Sequence, residues 1–242
     1  PDNVKDFFRT GLSLNNSIGI SGGSDKMQTY LSYTNNKVQG IMPRNDLGRH
    51  TFNLRITNNI SKKLTTDAKL TYIMQDIQSK YSTGEGGPVM ELYQIPRNVA
   101  LSDAKNYETY SLGQPVPAPY PVINPALYQN PYWRVNRSEN NETRNRVMGF
   151  ALARYEVADW LHITGRANLD KISDNLESLA YQGTLGLSAA GGAYSLSKID
   201  VTQRWFDLIL SGSRKLTSDL KLEYRGGAIL QDTKTTTLYA SA

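Results

Sequence analysis

Apolar and polar side chains alternate with period two along most of the chain, and turn-forming residues separate the repeats. This pattern constrains the fold more than any other feature. Successive side chains of a strand point to opposite faces, so strict alternation marks a strand whose two faces meet different surroundings. Over residues 12–22, Leu12, Leu14, Ile18 and Ile20 share one face; Ser13, Asn15, Ser17 and Ser21 share the other, and Asn16 interrupts the apolar side. Residues 27–34 repeat the pattern with Met27, Leu31 and Tyr33. In residues 51–60, Phe52, Leu54, Ile56 and Ile60 oppose Thr51, Asn53, Arg55, Thr57 and Asn59; in residues 64–75, Leu64, Ala68, Leu70, Tyr72 and Met74 oppose Thr65, Asp67, Lys69, Thr71 and Gln75. The pattern returns at 147–157, where Phe150/Leu152 and Ala151/Ala153/Tyr155 compete for the apolar face. It continues through Leu161, Ile163, Ala167 and Leu169, then Phe206, Leu208 and Leu210, and last Leu220, Leu222, Tyr224, Ala228 and Leu230. About eight strands follow, and the fold class is all-β and antiparallel.

The links between strands differ in length in a regular order. Short ones fall at 22–25, 61–63, 158–160 and 216–219, and long ones at 35–48, 79–145 and 183–194. In an up-and-down sheet, alternate links lie at the same end. Short turns at one end and long loops at the other are the habit of transmembrane barrels, with the turns periplasmic and the loops extracellular. The face chemistry agrees. Arg55, Asp67, Lys69, Arg166, Asp170, Glu223 and Arg225 fall on the polar faces, opposite nearly pure apolar ones. Charge is costly against lipid and tolerated in a wet lumen. The expectation is a transmembrane β-barrel segment in which Phe52, Leu54, Ile56, Leu70, Tyr72, Leu208, Leu210 and Leu222 face lipid, while Arg55, Lys69, Arg166 and Arg225 face inward. Phe7, Phe8, Tyr155 and Trp160, near strand ends, fit an interfacial aromatic girdle.

Residues 79–145 break the pattern. Eight of the ten prolines lie there, and proline cannot donate to a ladder, so this stretch is no sheet interior. A short helix over 89–99 fits the spacing, and the dense polar run 136–146 reads as a solvated loop. Long ordered loops tend to carry function. Tyr120, Tyr128, Tyr132 and Trp133 are the candidate ligand or partner contacts, since such rings serve interfaces well; the competing reading is that they pack the loop against itself.

Composition narrows the function classes. Cysteine is absent, which removes disulfides, thiolate metal sites and cysteine nucleophiles. The two histidines, His50 and His162, are far apart, so no metal site or histidine-based catalysis is expected. Gly84-Glu85-Gly86-Gly87 lacks the flanking elements of a phosphate loop. Asp170 and Asp174 could be paired acids, but on one strand they read as lumen polarity. The chain is not expected to be an enzyme and needs no cofactor. Its net charge of +5 is scattered rather than clustered, which argues against nucleic acid.

Residues 7–64 resemble the early barrel of SusC/RagA-type TonB-dependent outer-membrane transporters. The matching elements are Ile20-Ser21-Gly22-Gly23, Tyr30-Leu31-Ser32-Tyr33, Gln39-Gly40-Ile41, and Arg49 leading into Phe52-Asn53-Leu54-Arg55; Asn130-Pro131-Tyr132-Trp133 also fits. The resemblance implies a bacterial outer-membrane barrel of about twenty-two strands around a plug. It implies import of glycans or peptides driven by TonB, with a SusD-like surface lipoprotein as lid and outer-membrane lipid around the wall. Residues 1–242 then form part of the barrel, 79–145 its long extracellular loop, and the plug through which TonB acts lies outside this chain. Pro1 in place of a methionine, with no apolar leader, fits that expectation. A non-transport surface protein is the alternative: an autotransporter-like barrel, an adhesin or a soluble β-sandwich binding module.

Overall fold

The computed structural model of the chain describes residues 3–82, 84, 86–186 and 191–242. Eight antiparallel strands form one sheet with order β1-β2-β3-β4-β7-β8-β9-β10. They are β1 (Leu12–Gly23), β2 (Met27–Gln39), β3 (Asp46–Asn59), β4 (Leu64–Gln78), β7 (Ser138–Ala158), β8 (Leu161–Ala180), β9 (Ala193–Lys215) and β10 (Lys221–Ser241). Each strand pairs with the next one in this series, the up-and-down arrangement that the loop-length order predicted. No helix is long and apolar enough to cross a membrane.

The links at one end are residues 24–26, 60–63, 159–160 and 216–220; at the other they are 40–45, 79–137 and 181–192. Length sorts by end as expected, with two corrections. The β2–β3 link is only residues 40–45, because ladder pairing continues to Gln39↔Asp46 and takes in polar residues expected in a loop. The large loop closes at residue 137 rather than 145, and the 136–146 run is largely strand. Ladder bonds to β8 satisfy its backbone, and its charges find cross-strand partners: Arg144 donates to Asp174 at 2.6 and 2.7 Å, and Arg146 to Asp170 at 2.8 and 2.5 Å.

The large loop holds the other elements: α2 (Pro88–Tyr93), α3 (Leu101–Ala104), the hairpin β5 (Glu108–Ser111) and β6 (Gln114–Pro117), and α4 (Pro131–Arg137). The helix expected over 89–99 is only α2, which ends at Tyr93 ahead of Pro96; α3 starts beyond that range, at Leu101. Pro88 and Pro131 sit in the first turns of α2 and α4, where a missing N–H costs nothing. Helix α1 (Asn3–Phe7), ahead of β1, packs into the same cluster. Its core is Phe7, Leu92, Ile95, Leu101, Ala104 and Val135. Phe7 is therefore buried in this cap rather than placed in an aromatic girdle.

The strands are unequal. The four from β1 to β4 have 12 to 15 residues, and the four from β7 to β10 have 20 to 23. Because the short turns align, the excess projects at the long-loop end. The cap occupies the step, above the shorter strands and beside the taller β7. Arg44 bonds Glu139 at 2.6 Å, and Lys80 bonds Glu142 at 2.8 Å.

Candidate functional site

The sheet is inverted relative to a water-soluble protein. Register partners share a face, so the ladder sorts every side chain. One face carries Leu12, Leu14, Ile18, Ile20, Leu31, Phe52, Leu54, Leu70, Tyr72, Leu169, Phe206, Leu208, Leu210, Leu222 and Leu230. In β7 it takes Val147, Ala151, Ala153 and Tyr155, which settles the ambiguous strand and leaves Phe150 and Leu152 on the polar side. This apolar face is the exposed one: Phe206 is 52%, Leu208 53% and Leu54's neighbour Leu70 49% accessible. The polar face is the crowded one, with Ser32 at 6%, Thr71 at 6% and Asp207 at 5%. Soluble sheets bury the apolar side.

The polar face is cross-linked by charge. Arg55 donates to Asp67 at 3.0 and 2.8 Å, and Arg166 to Asp207 at 2.9 Å. With Arg144–Asp174 and Arg146–Asp170 these pairs bridge neighbouring strands. Asp170 and Asp174 are thus each occupied by an arginine and do not form an acid pair. Neutral links join in: Asn53 donates to Ser32 at 3.2 Å and accepts from Thr71 at 2.8 Å.

The apolar face also records the strand tilt. One register row runs from Gly22 through Thr29, Ile56, Ala68, Ala151, Ala167 and Phe206 to Leu230. In β1 the apolar set Leu12–Ile20 centres about six residues above that row, toward the long loops; in β10 the set Leu222–Leu230 centres about four below it. The band slips about ten residues over the steps between eight strands. At about 3.4 Å per residue and 4.8 Å per strand, a level apolar belt needs strands tilted by about 45°. Membrane barrels tilt by about 35–45°.

Above the belt stands the cap, which contains the four aromatic residues singled out from the sequence. Trp133 is fully buried, and its Nε1 donates to Thr184 Oγ1 at 3.0 Å. Tyr132 is half-buried, edge-on to Phe7 at 5.2 Å. Tyr120 is half-buried and its hydroxyl donates to the Ala100 carbonyl at 3.4 Å; burial raises both phenols above their ordinary range. Tyr128 is half-buried beside Gln129. The four do not converge on a single surface. Sequence reading missed the cap's exposed apolar side chains: Tyr93 at 61%, Ile123 at 69%, and Tyr110 and Leu112 at the β5–β6 hairpin. Leu112 has φ 52° and Gly113 φ 78° at the two-residue tip. Glycine suits that turn, whereas leucine there is strained and holds an apolar side chain wholly in solvent. A Leu-Gly pair between short segments was the available signal.

A buried ion pair locks the cap. Arg134 on α4 donates from Nε and Nη2 to Glu91 Oε1 on α2, at 2.9 and 2.7 Å, and also to the Leu185 carbonyl at 3.1 Å. Gln129 accepts from the Leu185 N–H at 2.7 Å, and the Arg137 guanidinium lies 4.7 Å from the Tyr181 ring centre. The large loop thus holds the β8–β9 link at residues 181, 184 and 185. Burial pushes the Glu91 carboxyl up to about 7, against the pull of Arg134. Neither signature was legible in the sequence, because nothing local marks Glu91 and Arg134 as partners. Glu85, within the glycine-rich run, lies outside the described residues. Among the described residues no cluster of His, Asp or Glu could hold a metal ion.

Solved structures share this architecture. The RagAB peptide transporter matches with TM-score 0.76 at 15% identity, over 100% of this chain and 26% of that one. The RagAB peptide importer matches in its closed-closed state with TM-score 0.74 at 15% identity, again over 100% and 26%. Its open-open state gives TM-score 0.74 at 14% identity, over 99% and 26%. The chain has the fold of a SusC/RagA-type barrel wall. It spans about a quarter of the length of those chains. No family model and no curated protein matches the sequence. The inverted burial is the arrangement expected of a transmembrane barrel wall, which has lipid on one side and a polar interior on the other. A soluble sandwich would need a second sheet over Leu54, Leu70 and Phe206, and none of the described residues provides one.

Proposed function

We propose that the chain forms part of the wall and outer loops of a TonB-dependent importer of peptides or glycans in a bacterial outer membrane. The observation that carries this is the sheet's inverted burial together with its likeness to the RagAB peptide transporter. The wall separates lipid from a polar passage, and the cap at the long-loop end is the first ordered structure that an external solute or partner meets. Long loops extracellular and short turns periplasmic is the sidedness this implies. A SusD-like surface lipoprotein is the partner, and TonB acts through a plug outside residues 1–242.

Within the cap, Tyr128, Tyr132 and Tyr120 supply ring edges at its surface, and Trp133 holds their frame from inside. Tyr93, Tyr110, Leu112 and Ile123 add further exposed apolar groups to the cap, and apolar groups held in water by ordered backbone favour a partner. The test is uptake by whole cells of labelled oligopeptides and oligosaccharides, with and without a protonophore. Energy-dependent uptake that disappears when the gene is deleted supports the reading; uptake unchanged by deletion removes it. For the partner, Tyr128→Ala with Tyr132→Ala should weaken co-purification of the lipoprotein while the barrel still assembles. Undiminished co-purification returns these rings to packing the loop alone.

A further inference from the structure

The exposed apolar face is not smooth. From β3 to β9 it carries a recess of about 520 Å³. Its floor is Gly149, Ala151 and Ala167, and its walls include Leu54, Leu70 and Phe206. Gly149 is fixed by the backbone: a Cβ there would lie 2.4 Å from the Lys69 carbonyl oxygen. An apolar hollow cannot by itself choose among lipids, because every acyl chain fills it equally well. Selection has to come from its rim.

The rim at the long-loop end is cationic. Arg204 lines the recess beside Phe206, and the row just above the apolar belt reads Lys171, Thr202, Lys234 across three neighbouring strands. Among the described residues neither lysine makes an ion pair. Asp232 offsets part of this charge by accepting from Arg204 at 3.1 Å; Asp200, one row further out, is held by the Ser173 hydroxyl at 2.5 Å. The height is right for a lipid. Lys171 stands four residues above Ala167, about 9 Å of vertical rise on a strand tilted by about 45°. Its long side chain extends further outward, toward the headgroups about 15 Å from the bilayer centre.

We propose that this recess and its rim bind one phospholipid of net negative charge from the leaflet on the long-loop side. The acyl chain lies over Gly149, Ala151 and Ala167, and the headgroup phosphate sits among Lys171, Arg204 and Lys234. The inference rests on the membrane-barrel reading above. The experiment uses the full-length protein in phosphatidylcholine nanodiscs doped with phosphatidylglycerol, with retained lipid identified by native mass spectrometry. Wild type should retain phosphatidylglycerol over phosphatidylcholine. Replacing all of Lys171, Arg204 and Lys234 with Gln should cut that retention by about a hundredfold, at about fivefold per cation. Ala151→Leu, which fills the recess and leaves the charges, should also reduce it, and Lys198→Gln, further from the belt, should not. Equal retention of both lipids, or retention unaffected by the triple variant, overturns the inference while the protein still sits folded in the disc. Failure to enter a bilayer at all would instead sink the barrel reading. Loss of self-association in Ala151→Leu without any change in lipid retention would assign the recess to a second copy of the chain and overturn the lipid site.

Discussion

The wall and the cap obey opposite solvation rules within one chain. In the cap, Phe7, Leu92, Ile95, Leu101 and Val135 are buried in the ordinary way, and the Glu91–Arg134 ion pair is buried with them. In the wall, leucines such as Leu54, Leu70 and Leu208 face out, while Arg55, Asp67, Arg166 and Asp207 share the crowded face. A single sequence can hold both because each region answers to its own surroundings. Water drives apolar groups together in the cap, whereas on the membrane-barrel reading proposed above lipid removes that drive from the wall and leaves backbone pairing and polar satisfaction to define the sheet. The boundary falls where β4 ends at Gln78 and β7 begins at Ser138.

The largest effect that separates the regions is expected at Glu91. Glu91→Ala leaves Arg134 buried without its counter-charge and should cost the cap about 3–5 kcal/mol. Hydrogen exchange should then rise across residues 79–137 and leave the β7–β9 ladder protected. Replacing the pair with leucine at 91 and methionine at 134 should restore most of the protection. Equal deprotection of sheet and cap in Glu91→Ala would mean that the two do not respond as separate units.

Next in size is a test of the wall. Leu54→Arg should destabilise the folded barrel by about 2–4 kcal/mol if the site lies near the bilayer midplane. Asn53→Arg, one residue along and on the other face, should cost far less. The readout is a urea titration of folding into vesicles. A reversed order would place lipid on the polar side of the sheet.

Much of the wall was legible in the sequence, and little of the cap was. Alternation from Leu12 to Ile20 and from Phe52 to Ile56 identifies strands because each face meets one medium. The same logic failed at residues 138–146 and 35–39, where the strands run on beyond the apolar belt and both faces turn polar, so that ladder pairing persists without a pattern to announce it. The ambiguous 147–157 strand could be resolved only by register, since Phe150 and Leu152 sit on the polar face against the trend. In the cap, Trp133 and Tyr132 look alike as candidate contacts from sequence, but Trp133 is enclosed and Tyr132 is half open. That difference depends on Thr184 and Phe7, which are distant in the chain.

A smaller effect comes from pH and again divides the regions. The Glu91 carboxyl, ordinarily near 4.5, is raised by burial to about 7. A raised folded value means that the cap gains a proton relative to its unfolded state between those limits. Its contribution to stability is therefore complete below about pH 4.5 and is lost as pH rises toward 7. Proteolysis of residues 79–137 should be faster at pH 8 than at pH 5, assayed with a protease active at both, while the sheet's heat-modifiable migration stays constant. Glu91→Gln should flatten the profile. A slope of opposite sign would show that the pull of Arg134 outweighs burial.

The smallest expected effect concerns the same chemistry in the other region. Arg146 and Asp170 meet on the polar face of the wall with geometry as good as that of Glu91 and Arg134, at 2.8 and 2.5 Å. Their surroundings differ: the Arg146 side chain is 33% accessible, and that of Arg134 2%. Ion pairs open to water recover little, because each partner is nearly as well solvated when alone. A double-mutant cycle across Arg146 and Asp170 should give a coupling of about 0.2–1 kcal/mol that shrinks with added salt. The corresponding cycle across Glu91 and Arg134 should be several times larger and nearly insensitive to salt. If instead the Arg146–Asp170 coupling in the complete protein rivals the buried one, the polar face is not wet at that level, and another part of the protein must fill the barrel there and exclude water from β7 and β8.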